Sequence, residues 1–354
     1  MISIANAPWE VGFLSHLRPT SSPTSEYLAR SRLEKMWDIV VVGSMMMDLV
    51  STVERLPKVG ETIHGISFEH NYGGKGANQC VAAASLGATT AMVGLVGEDS
   101  YGKKYLRHLR ELEIGEGSTS GIDLEQVFQT SKAMTGIASI WVDGQGNNSI
   151  IITAGANSDL KVSDLKGADH LLKKAKMIVC QLEIPIETTL EVLRRAKEYG
   201  CRSIFNPAPA VKDLPAEFLS YSDILCANET EAELLCGFPV DTDDACQRAL
   251  AFLLERGPNT AIITLGERGA VFATKDSPKT QFVTVDQVKV VDTTGAGDAF
   301  VGALAHFLVA DPEGEGKLRE AVRKACKYAS LTVQFPGSQK SFPAIENMMA
   351  DFFD

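Results

Sequence analysis

From about residue 154 onward, short apolar runs of strand length alternate with longer segments whose apolar residues recur every three or four positions. This alternation constrains the fold more than any other feature, because parallel neighbouring strands need a crossover between them and a helix supplies it. Residues 177–182, 202–206, 223–227 and 260–264 read as strands. Residues 187–199, 243–256 and 318–333 read as helices. Upstream, Asp38-Ile39-Val40-Val41-Val42-Gly43 is a continuous apolar run ending in glycine, the pattern of a strand buried on both faces of a parallel sheet. The expected class is α/β, with a central, mostly parallel sheet flanked by helices.

Two stretches depart from that rhythm. Residues 61–72 alternate through Ile63, Gly65, Ile66 and Phe68, and residues 136–142 and 149–153 flank the turn-rich Asp143-Gly144-Gln145-Gly146-Asn147. With no helix between them, these strands are expected to form a small β-sheet lid, approximately residues 50–72 and 133–154, that also serves as an interface. Residues 1–36 lack sustained periodicity and carry Pro8, Pro19 and Pro23, so an extension without fixed structure is expected ahead of one domain over 37–354. Arg18, Arg30 and Arg32 hint at a transit peptide, but Glu10, Glu26 and Glu34 weaken that reading.

Composition excludes several function classes. A formal charge of -11 without a Lys/Arg cluster disfavours a nucleic-acid partner. Seven scattered cysteines without a C-x-x-C point to a reducing compartment and away from a disulfide framework or zinc site; Cys180 and Cys226 read as core thiols. No apolar run approaches the roughly 18 residues of a membrane span.

The chemistry concentrates in Asp292-Thr293-Thr294-Gly295-Ala296-Gly297-Asp298, between the apolar Val288, Val290 and Val291, read as a strand, and a helix-like segment 299–310 whose buried face would be Phe300, Leu304 and Phe307. Glycines let backbone N–H groups approach a ligand, and the following helix start adds partial positive charge, so the turn suits an anion. A carboxylate placed there repels phosphate, which makes sense if Asp298 takes the proton of a hydroxyl attacking that phosphate. The alternative is a capped loop with no chemistry.

Other polar positions stand beside strand ends. Asp48 follows the first strand and is a candidate for polar substrate groups, with a surface loop residue as its alternative. Gly73-Gly74-Lys75-Gly76-Ala77-Asn78 opens a helix over 79–86 and fits neither the dinucleotide fingerprint nor the Walker loop; its amides and Asn78 could hold sugar hydroxyls. Asn228 and Glu231 lie one turn apart at a helix start, suited to Mg²⁺ through water or to a capping pair. Leu265-Gly266-Glu267-Arg268-Gly269 follows a strand and is expected to line a nucleotide pocket.

These motifs, together with Gln181-Leu182-Glu183, Asn206-Pro207-Ala208-Pro209 and Thr264-Leu265-Gly266, occur in an order that resembles the ribokinase family of sugar kinases over roughly residues 37–345. The resemblance implies a ribokinase-like body with a β lid that dimerises, ATP as phosphoryl donor, and transfer to the 5-hydroxyl of ribose in the cytoplasm, or also the nucleus. By the family pattern Met46, Asp48, Gly74, Lys75, Gly76, Ala77, Asn78 and Glu183 would surround the sugar, and Asp298 would be the base. Gly295, Ala296 and Gly297 would form the anion hole. ATP would lie along Asn228, Thr264, Leu265, Gly266, Glu267, Arg268, Gly269, Gly297 and Asp298, with Mg²⁺ held through water by Asn228 and Glu231. K⁺ would sit at Asp292, Thr294, Thr332, Phe335, Gly337 and Ser341. Many family members carry an Asn where this chain has Met46, and a thioether cannot replace that amide's hydrogen bonds. Deoxyribose, fructose or a nucleoside such as adenosine are therefore alternative acceptors, and a catalytically silent sugar-binding protein is the alternative from another class.

Overall fold

The computed structural model describes residues 36–112, 121–311, 316–348 and 352–353. The expected extension therefore lies, except for Met36, outside the described residues. β1 (Trp37–Val42) is the apolar run read from the sequence, and its neighbouring side chains serve opposite faces. Ile39 and Val41 join one core and Val40 and Val42 the other, all at 0% exposure. Each such side chain contributes roughly 1.5–3 kcal/mol on burial.

The chain continues through β2 (Met46–Thr52), β3 (Ser67–Gly73), helix Lys75–Ser85, β4 (Thr90–Gly97), helix Ser100–Glu111, β5 (Asp123–Thr130), β6 (Gly136–Val142) and β7 (Asn148–Thr153). Regular alternation follows: helix Leu165–Leu172, β8 (Ala175–Cys180), helix Ile186–Tyr199, β9 (Arg202–Phe205), helix Glu217–Tyr221, β10 (Ile224–Asn228), helices Glu229–Cys236 and Asp243–Glu255, and β11 (Thr260–Thr264). β12 (Ala270–Thr274) and β13 (Gln281–Val283) precede helices Ala296–Ala310 and Lys317–Thr332. Nine strands form one sheet in the order β13-β12-β11-β10-β9-β8-β1-β4-β5, and four form a second in the order β3-β2-β6-β7. The large sheet is parallel except where β12 and β13 add antiparallel strands at one edge.

Strand order reverses at β1, which lies between β4 and β8. Loops leaving the carboxyl ends of strands diverge at such a switch point and open a crevice. Ser44 after β1 and Gln181 and Glu183 after β8 stand at this one. Helix Ala296–Ala310 reaches it by packing on helix Lys75–Ser85, and Gly302 sets how closely. A Cβ at Gly302 would lie 2.5 Å from the Gln79 carbonyl oxygen and 2.6 Å from the Ala82 Cβ, so a side chain there would push the two helices apart.

Several expectations are corrected. Asp48 is not the surface loop residue of the alternative reading: β2 carries it, with Met46, in the middle of the second sheet, pairing Asp48 with Asn71 antiparallel and with Ala138 parallel. Over 61–66 the alternation does not make a strand, because the Glu61 carboxylate accepts from Arg55 Nη1 (2.7 Å) and the Lys58 N–H (2.9 Å) and closes a turn instead. Helix Lys75–Ser85 starts four residues earlier than the pattern suggested. The segment containing Val288, Val290 and Val291 is not a strand either. The chain leaves the sheet edge after Val283, and Val290 and Val291 are 54% and 56% exposed. On helix Ala296–Ala310, Phe300, Leu304 and Leu308 are buried while Phe307 sits half-buried at the rim. Among the described residues no helix is long and apolar enough to cross a membrane.

Candidate active site

Gly295 takes φ +78°, a conformation that costs a side-chained residue energy, and a Cβ there would lie 2.8 Å from the Ser338 Cβ. The turn it makes is closed locally: Asp292 Oδ1 accepts from the Thr294 N–H (2.9 Å) and hydroxyl (2.6 Å), and the Ala296 N–H donates to the Thr293 carbonyl (3.2 Å). Helix Ala296–Ala310 then starts with first-turn N–H groups that lack intrahelical partners. The Ala296 N–H is engaged, whereas the amides of Gly295, Gly297 and Asp298 are left for an anion, and these three residues line the adjoining chamber.

Asp298 lies in that first turn and is 6% exposed. Asn78 Nδ2 donates to its Oδ2 (2.9 Å) and Gln79 Nε2 to its Oδ1 (3.0 Å). Gln79 also donates to Asn206 Oδ1 (3.1 Å) and accepts from Gln181 Nε2 (2.5 Å), while Asn206 donates to the Cys226 carbonyl (2.9 Å). The local turn is thus held by Asp292, whereas Asp298 is held by residues from another helix. Gln181 and Asn206 stood in motifs read from the sequence without a site role of their own, and neither Gln79 nor Gln339 was given one. For Gln79, Gln181 and Asn206 the available signal was a polar residue inside an otherwise apolar, buried stretch; Gln339, within Ser338-Gln339-Lys340-Ser341, carried none.

Around the carboxylate stands a cluster of charge. The Lys75 N–H donates to Glu183 Oε2 (2.8 Å), and so does the Ser44 hydroxyl (2.5 Å). The Lys75 ammonium is held above its ordinary value first by Asp298 and, against the effect of burial, also by Glu183 and Glu231. Burial pushes the Glu183 carboxyl up, opposed by Lys75. Asp48 rises to about 7, mainly through burial and then through the charges of Glu183 and Asp298. Between its ordinary 3.8 and about 7 the folded chain holds a proton on Asp48 that the unfolded chain releases, so this group's stability contribution is present at low pH and is lost as pH rises through about 7. Asp48→Asn is therefore expected to raise Tm at about pH 8, with the gain shrinking towards pH 4; melting curves across that range check it, and a gain that grows on acidification would contradict it.

Three compartments lie around this cluster, two of them sharing a wall. An apolar cavity lies between Thr264, Gly266 and Gly269 on one side and Val285, Val288 and Ala329 on the other. A polar chamber shares Thr264, Thr293 and Gly297 with it and adds Lys75, Asn228, Glu231 and Asp298. Met46, Glu183, Ile152 and Pro209 line a third cleft beside the second sheet. Not every sequence candidate reaches these spaces. Leu265 is buried in the core, and Arg268 turns outward to pair with Glu229 (2.7 Å) and Asp243 (3.2 Å). The N–H groups of Gly76 (3.4 Å) and Ala77 (2.9 Å) go to the Ser44 hydroxyl and carbonyl, and Asn78 spends its side chain on Asp298 and Gln339. Asn228 and Glu231 form a reciprocal capping box, each side chain accepting from the other's N–H (2.8 and 2.9 Å). Asp292 Oδ2 accepts the Gly337 N–H (2.8 Å), and the Val333 carbonyl accepts the Val291 and Asp292 N–H groups, so the turn is tied to the segment after helix Lys317–Thr332.

Comparison with known proteins agrees with this geometry. Residues 36–345 match the pfkB family carbohydrate kinase profile. The chain is 46% identical to the ribokinase of Mus musculus over 86% of this chain and 91% of that protein. It is 38% identical to the deoxyribokinase of Salmonella typhi over 87% of this chain and 96% of that protein. The solved structure of Arabidopsis thaliana ribokinase complexed with ribose and ATP superposes with a TM-score of 0.77 at 33% identity, covering 87% of this chain and 96% of that one. The chain belongs to the pfkB family of carbohydrate kinases.

Proposed function

We propose that this chain transfers the terminal phosphoryl group of ATP to the 5-hydroxyl of D-ribose, with Asp298 as the general base. The observation that carries the reading is the placement of Asp298: a buried carboxylate at a helix start, oriented by two side-chain amides and lining the polar chamber that adjoins the apolar cavity. The apolar cavity suits a flat base, the polar chamber suits phosphates, and the third cleft beside Asp48, Lys75 and Glu183 suits sugar hydroxyls. In this arrangement Asp298 accepts the hydroxyl proton while the Gly295 and Gly297 amides and the helix start stabilise charge on the transferring group.

The residues present fit the two implied cations. Among the described residues no three His, Cys, Asp or Glu side chains cluster as a metal site, so Mg²⁺ would arrive on the nucleotide phosphates and meet Asn228 and Glu231 through water, neutralising phosphate charge. Asp292, Thr294 and the 332–341 segment offer an all-oxygen donor set for K⁺ at a turn that already ties the two segments together. Rates in K⁺ are expected to exceed those in Na⁺ at matched ionic strength; equal rates would remove the site. The second sheet acts as a lid over the sugar, and its exposed Ile150 and Ile152, on the same face as Asp48, pair with a second copy of the chain. Ile150→Asp should then convert a dimer to a monomer by light scattering, and an unchanged mass would sink this interface.

Met46 favours a second acceptor. Its side chain, 2% exposed beside Glu183, has no donor and only a weak acceptor to offer a hydroxyl, so 2-deoxyribose is expected to lose roughly 10–200-fold rather than the 10⁴–10⁵ of a site built to bind that hydroxyl. ATP consumption measured over ribose, 2-deoxyribose, fructose and adenosine tests the assignment. Ribose inactive while another acceptor turns over would overturn the substrate without touching the reaction class.

A further inference from the structure

We infer that Gln339 and His108 are positioning residues for Asp298, the far links of a one-way hydrogen-bond chain that fixes the orientation of the base. The inference rests on the reading of Asp298 as that base. Its starting point is the Gly73 carbonyl, which can only accept. Tyr105 donates its hydroxyl there (2.5 Å), so the Tyr105 oxygen must accept from Gln339 Nε2 (2.8 Å). This orients the Gln339 amide. Its Nε2 also donates to Asn78 Oδ1 (3.0 Å), which leaves Asn78 Nδ2 to donate to Asp298 Oδ2 (2.9 Å). Gln339 Oε1 is left facing His108, which must donate through Nε2 (2.9 Å). Every donor in the series His108, Gln339, Asn78 thus points towards the carboxylate, and aligned hydrogen bonds polarise one another.

The chain is anchored at its outer end. The His108 ring stacks on Tyr72 with centroids 3.7 Å apart and planes 2° off parallel, and the Ser338 hydroxyl donates to the Tyr72 carbonyl (3.0 Å). Burial holds the imidazole below its ordinary value, which suits a neutral ring donating from Nε2. Gln339 itself is 5% exposed. Without it, Asn78 could turn its amide over and present Oδ1 to the Asp298 carboxylate, a repulsive contact that would displace the base. In this way helix Ser100–Glu111 and the segment after Gly337 act on a reaction that neither reaches directly.

Gln339→Met keeps the length and volume and removes every hydrogen bond. It should lower kcat about tenfold while KM for ribose and for ATP stays within about threefold, because the substrate sites are untouched. His108→Phe keeps the ring stack and loses the N–H, whereas His108→Gln keeps an N–H and loses the stack. The inference expects the Phe variant to have the lower kcat; a purely structural His108 predicts the reverse order. Wild-type kcat in Gln339→Met, or the reversed order at His108, overturns it, and the His108 pair decides the matter if Gln339→Met does not fold. Asp298→Asn assayed in parallel separates the two readings: near-normal turnover there removes the base, while its loss alongside an unimpaired Gln339→Met removes only the relay.

Discussion

Replacing Asp298 by Asn is expected to lower kcat by roughly 10²–10⁴-fold, the scale of a lost general base, with ATP affinity nearly retained. The amide has the shape of the carboxylate but cannot take the proton of the attacking hydroxyl. The structure adds a second consequence. Asn78 Nδ2 and Gln79 Nε2 each donate to a different oxygen of Asp298, and an amide can accept from only one of them. One donor loses its partner in a buried site, so Tm should also fall, by an amount corresponding to about 1–3 kcal/mol. kcat at saturating ribose and ATP, ATP affinity by calorimetry and a melting curve separate the effects. A kcat within a few-fold of wild type, with the same loss of Tm, would leave Asp298 a purely structural acceptor.

How much of this was legible depends on whether the signal was local. β1, β10 and β11 were readable because a strand buried on both faces is an unbroken apolar run. β5 was not, since Asp123-Leu124-Glu125-Gln126 carries the half-polar pattern of an edge strand. β2 was hidden because Met46 and Met47 are both buried and show no alternation. The valines before Asp292 misled for a physical reason: Val288 and Val290 are apolar to line a cavity, not to pair in a sheet. The turn holding Asp298 was legible because its glycines and acids lie within a few residues of one another. What orients Asp298 was not, because Asn78 and Gln79 come from 220 and 219 positions away and are brought there by the packing of two helices, close at Gly302. The capping box of Asn228 and Glu231 was foreseen as the plainer alternative to a metal pair, and both side chains still border the polar chamber.

Lys75→Met is expected to lower kcat/KM by about 10²-fold or more and to make the enzyme's stability more sensitive to alkaline pH. Lys75 is the cation whose charge is felt by Asp298, Glu183 and Glu231 together, and it stays protonated despite burial because those carboxylates favour its charged form. Methionine keeps the stem and deletes the charge. The hydrogen bonds from the Ser44 hydroxyl and the Lys75 N–H to Glu183 and from the Asn228 N–H to Glu231 remain, but the ammonium no longer opposes burial, so the pKa values of both carboxyls, already raised, climb further above those of the unfolded chain. By linkage, a carboxyl raised in the folded state contributes stability at low pH that disappears as pH rises through its folded value, so the Tm deficit of Lys75→Met should be small near pH 5 and large near pH 8. Catalysis should suffer in the same direction, because phosphate must then enter a chamber bordered by Asp298 and Glu231 without the ammonium that offsets their charge. Melting curves and kcat/KM measured at both pH values check the two halves of the argument. A Tm deficit independent of pH would show that Lys75 supports the site through its methylene packing and not through its charge.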